Sequence, residues 1–91
     1  MEILYKSVTA ATQVSTQECW LVGVELSNSG NASMIVYDEA DDGETAAKKV
    51  VNMRCTSYNR HNSVMFPDEG VQCDGIYVTL SAGIVTIYYH Y

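Results

Sequence analysis

Apolar and polar positions alternate in short runs along most of this chain, and turn-forming residues close the runs. Glu18 to Ser27 sets Trp20, Val22, Val24 and Leu26 on one side and Leu21, Gly23 and Glu25 on the other, the period-2 pattern of a strand. Asn28-Ser29-Gly30-Asn31 is turn chemistry, and Ala32 to Asp38 reads as the returning strand. With a four-residue loop this predicts a hairpin in which Val24 meets Ile35 and Val22 meets Tyr37. Gly75 to Tyr91 predicts a second hairpin, because β-branched and aromatic residues fill nearly every position outside its turn. A two-residue turn at Ala82-Gly83 pairs Ile76 with Tyr89, Val78 with Ile87 and Leu80 with Val85, leaving Tyr77 with Tyr88 on the other face. A three-residue loop, Ser81-Ala82-Gly83 with Gly83 left-handed, suits the backbone better. It would pair Val78 with Thr86, so the register that keeps one apolar face is preferred.

The weaker segments lie between and before these two. Met1 to Lys6 alternates as an edge strand would, and Ser7 to Gln17 is poor in core residues, so residues 1–17 read as an N-terminal arm or edge strand and 18–91 as the folded domain. Thr45 to Lys49 suits a helical turn, and Val50 to Thr56 suits a strand with Val51, Met53 and Cys55 on one side. Ser57 to Asn62 reads as a loop exposing Tyr58, Arg60 and His61, and Pro67 closes the short run Ser63 to Phe66. Short strands separated by turns, with no long helix, predict an all-β fold: a small antiparallel β-sandwich or jelly roll with two strong hairpins and Trp20, Val22, Val24, Ile35, Val78 and Ile87 inside.

Charge and length narrow the functional classes. The 91 residues carry a formal charge of −6, with five Lys and Arg scattered along the chain, which argues against direct contact with nucleic acid. No stretch approaches the roughly 20 apolar residues of a membrane span. The start, Met1-Glu2, lacks a basic segment before an apolar run and reads as that of a protein made in the cytoplasm.

Candidate chemistry is sparse. Cys19, Cys55 and Cys73 are an odd set spread far apart, read as core residues in a reducing compartment; one bridge plus a free thiol, or a Cys/His site using His61 or His90, are the alternatives. Asp38 to Glu44 is an acidic loop that departs from a calcium loop in having Ala40 at the third position, and it reads as solvated surface, with weak cation binding the alternative. Both histidines are expected at the surface. No nucleophile and base are spaced as a catalytic motif, so the chain is read as no enzyme, with no cofactor and no metal. Tyrosine is different: Tyr58, Tyr77, Tyr88 and Tyr91 are the candidate partner-contact residues, with Tyr77, Tyr88 and Tyr91 expected to gather on one end or face of the last hairpin. The alternative is a second buried sheet face.

Several stretches together carry a family likeness. Leu21-Val22-Gly23-Val24, Met34-Ile35-Val36-Tyr37-Asp38, Phe66-Pro67, Gly70 to Val78 and Val85-Thr86-Ile87-Tyr88-Tyr89 resemble the small β-sandwich virion proteins of tailed bacteriophages, over most of the chain after Glu18. The resemblance implies a structural virion protein made in the host cytoplasm: a capsid decoration or cement subunit, bound to the major capsid protein or another virion protein, and a homo-oligomer, with a trimer favoured. A tail, fibre or receptor- and glycan-binding module is the alternative. No binding residue carries over from it.

Overall fold

In the computed structural model, which describes residues 2–91, the alternating runs form nine strands: β1 (Leu4–Val8), β2 (Thr12–Ser15), β3 (Cys19–Ser27), β4 (Ala32–Tyr37), β5 (Lys49–Cys55), β6 (His61–Met65), β7 (Val71–Cys73), β8 (Ile76–Leu80) and β9 (Ile84–His90). The expected short helical turn is a 3-10 turn over Ala46–Lys48. Two antiparallel sheets pack face to face as the expected β-sandwich. One has the order β1-β9-β3-β6, with β7 also paired to β3; the other has the order β2-β8-β4-β5. Leu21, Val24, Leu26, Val85 and Ile87 from the first sheet meet Met34, Val36, Ile76 and Val78 from the second, all at most 1% exposed.

Both expected hairpins have their strands, but neither has its pairing. β3 and β4 lie in different sheets, as do β8 and β9. Each connection is therefore an arch that carries the chain across the core. Val24 pairs with Ile87, not with Ile35, and Val36 pairs with Val78. Period-2 alternation says which side of a strand is buried; two strands facing each other across a core satisfy it as well as two lying side by side. The connections decide the matter. Segment 28–31 is held by the Asn28 side-chain amide, which donates to the Gly30 and Asn31 carbonyls, while the Asn28 N–H donates to Arg60 O. Gly83 has φ +86°, and a Cβ there would collide with the Ser27 carbonyl, so the second arch closes on the first.

The expected faces of β3 also need correction. A register shift between Leu21 and Gly23, opposite Tyr89 and Tyr88, is a β-bulge. Cys19 and Leu21 point inward before it, and Val24 and Leu26 point inward after it. Trp20 and Val22 are consequently only half-buried, and so is Ile35 on β4.

The segment read as an arm or edge strand supplies an edge strand to each sheet. β1 pairs only with β9 and β2 only with β8, and Val8 and Val14 belong to the core. Strand register then fixes which connections meet. Val8 lies beside Val85, Ser27 beside Ile84 and His61, and Ala32 beside Cys55, so 9–11, 28–31, 56–60 and 81–83 share one end. Segments 16–18, 38–48 and 74–75 share the other, with 66–70 leaving the sheet beside Val22 towards that end.

Candidate functional site

The four tyrosines proposed for partner contact fall on different surfaces. β8 and β9 belong to opposite sheets, so Tyr77 and Tyr88 point out of opposite faces and do not gather. Tyr77 packs against Tyr37 with the rings tilted by 36° (centroids 6.3 Å apart), and its hydroxyl is pushed up in pKa by burial, then by Glu44 and Asp42 of the acidic loop. Tyr91, at the acidic end, hydrogen-bonds Ser15 Oγ at 3.1 Å and packs edge-on to Tyr89. Tyr58 is fully exposed at the opposite end.

Tyr88 has a neighbour that sequence reasoning missed. On the outer face of the first sheet, register places Tyr5, Tyr88, Gly23 and Met65 in one row across four strands, about 14 Å long. The Tyr5 and Tyr88 rings lie 6.4 Å apart. Gly23 lacks the Cβ that would collide with Met65 Sδ, so the methionine lies flat over β3. Ile3, in phase with Tyr5, and Ile84 extend the face. Ile3, Tyr5, Met65 and Ile84 are 47%, 73%, 59% and 49% exposed, and the only other large apolar residues exposed in residues 2–91 are Tyr58 and Tyr91. Tyr88 donates from its hydroxyl to Glu25 Oε1 at 3.1 Å, which with burial pushes its pKa up, and Ser7 bonds Thr86 at 2.8 Å in the neighbouring polar row.

The two ends differ in chemistry. Glu39 is buried in the acidic segment with Lys48 Nζ 3.9 Å from its Oε1, and Asp41 accepts the Gly43 N–H. Asp38 accepts the Asp74 N–H at 2.6 Å, and Gln13 donates to Glu39 O and Ile76 O, which ties this segment to β8. Among the described residues no three metal-ligating side chains converge. At the other end an open groove of about 490 Å³ is lined by Asn31, Ser33, Arg54, Thr56 and Ser81, together with the buried Ala32 and Cys55. Compared with family models, with curated proteins and with solved structures, the chain matches none.

The histidines divide. His61 is exposed at the start of β6, whereas His90, expected at the surface, is buried: it stacks on Trp20 at 6.1 Å and donates from Nε2 to Glu69 O at 2.9 Å. Segment 66–70 covers it.

All three cysteines are free thiols and buried. Cys19 and Cys73 are directly opposite across β3 and β7. Burial, with Asp38 and Cys19 adding, raises the Cys73 thiol from 9.0 to about 12, and burial raises Cys19 as well. Below pH 8 both folded and unfolded thiols keep their protons, so these groups give no pH dependence there. Between about pH 9 and pH 12 the unfolded chain loses protons that the folded chain retains, and stability falls as pH rises. The melting temperature is therefore expected to decline progressively above pH 9. Iodoacetamide at pH 8 is expected to label the cysteines only after denaturant is added; rapid labelling of the native protein would contradict this burial.

Proposed function

We propose that the protein is a structural subunit of a tailed-bacteriophage virion, seated on the capsid as a decoration subunit. The sequence resemblance suggests the class. The outer face of the first sheet supports it: Ile3, Tyr5, Met65 and Ile84 put apolar area on one side of a small sandwich, with polar Ser7, Thr86, Glu25 and Ser63 running through it. Aromatic and methionine side chains of this kind give large contact area with little polar surface to desolvate. Rows of hydroxyls and Glu25 keep the face soluble before it is covered. In this reading the sheet face lies on the capsid protein and leaves both ends of the sandwich free.

The test begins with purified particles. Mass spectrometry is expected to find the protein at a copy number near that of the capsid protein, and absence from particles would overturn the reading. Tyr5→Ala combined with Met65→Glu changes two exposed positions and is expected to leave the melting temperature within a few degrees of wild type. The same variant is expected to reduce binding to stripped capsids at least about tenfold, equivalent to about 1.4 kcal/mol. Undiminished binding would remove this face from the contact.

A further inference from the structure

Negative charge in this molecule is sorted by end, with Lys48 and Lys49 the cations beside it. Every one of the eleven acidic residues except Glu25, in the middle of β3, lies at or towards the end that holds 38–48 and 74–75. None lies in 9–11, 28–31, 56–60 or 81–83. That opposite end carries Arg54 and Arg60, and no carboxylate comes within 4.0 Å of either among the described residues, where the one ion pair is Lys48 with Glu39. Arg60 donates from Nε to Ser57 O at 3.3 Å, which leaves its terminal nitrogens free, and Arg54 borders the open groove. The arginine-bearing end thus has two unused forks and a polar recess, while the other end has a surplus of carboxylates.

We propose that the arginine end of one copy receives the acidic end of another, so that the protein associates head to tail. The entering segment is Asp41-Asp42-Gly43-Glu44, which is fully on the surface within a stretch exposed from Ala40 through Lys49. Its carboxylates meet Arg54 and Arg60, whose planar guanidinium groups bind carboxylates in a two-pronged fashion. Ser33, Ser81, Thr56 and Asn31 line the recess with further donors. Like ends repel, so a two-fold contact through either end is disfavoured. A contact between unlike ends is heterologous and either closes into a ring or continues as a stack. Such a contact leaves the Tyr5/Met65 face uncovered, and it concerns the purified protein alone, independent of any capsid.

Sedimentation velocity tests this. In low salt the average mass is expected to rise with protein concentration. In about 1 M salt, where the screening length is about 3 Å, it is expected to return to that of the monomer. The double variants Arg54→Glu/Arg60→Glu and Asp41→Lys/Asp42→Lys alter exposed residues and are each expected to stay monomeric with a near-native melting temperature. Mixing the two is expected to restore association, because each retains the end the other lacks. Arg54→Ala alone is expected to weaken association about tenfold. A wild-type protein that is monomeric in low salt at every concentration, or double variants that associate as wild type does, would overturn the proposal.

Discussion

Removing residues 1–16 is expected to abolish folding, not to release a dispensable arm. β1 and β2 are the edge strands of the two sheets, and their loss exposes the hydrogen-bonding edges of β9 and β8. It also takes Val8 and Val14 from the core, each worth roughly 1.5–3 kcal/mol of burial. A domain of this kind has about 5–15 kcal/mol in total, so these burials and two lost ladders approach the whole. Far-UV circular dichroism of the truncated chain is expected to show no cooperative melt. A sharp transition near that of the full chain would mean that the sandwich is complete from Gln17 onwards.

Ile87→Ala is expected to be the most damaging of the simple core truncations. Ile87 is fully buried in β9, the strand held between β1 and β3, and sits in register with Val24 on one side and Lys6 on the other. Neighbouring strands hold it on both sides, so the site has little room to collapse, and the cost is about 2–5 kcal/mol. At roughly 4–8 °C per kcal/mol for a domain of this size, the melting temperature falls by about ten degrees or more. Urea titration should show a lower midpoint with an unchanged slope. Tyr58→Ala, at a fully exposed loop position, is the control and should leave both unchanged.

The sandwich was legible because β-branched runs with period-2 burial leave few other folds for a chain without helices. Strand partners were not. Val24 and Ile35 have the alternation of hairpin neighbours, yet they belong to different layers, since alternation carries no information about which strand lies alongside. The bulge at Val22-Gly23 had one sequence cue, the glycine itself, and it reversed which of Trp20 and Leu21 is inside. His90 was misread because the segment that covers it, 66–70, is distant in sequence. The Tyr5–Tyr88–Gly23–Met65 row is built from four strands and appears only when their order is known. The sorting of charge had a trace in the sequence: the connections 28–31, 56–60 and 81–83 contain no Asp or Glu, while 38–48 and 74–75 do. Its meaning depended on learning that the acid-free connections meet.

The pairing of β1 and β2 also determines when the molecule can close during synthesis. β1 has no partner but β9, and β2 has none but β8, so these two strands must wait for β8 and β9 to be made. At about 5–20 residues per second that interval is on the order of 3–15 seconds, during which β1 and β2 have no partner strand. The β3–β6, β3–β7 and β4–β5 ladders can form earlier, but the four ladders of β8 and β9 arrive nearly together. Such a chain closes late, in the slow range typical of sandwiches dominated by distant contacts, and its yield in a cell depends on keeping nascent chains apart as well as on the stability of the finished fold.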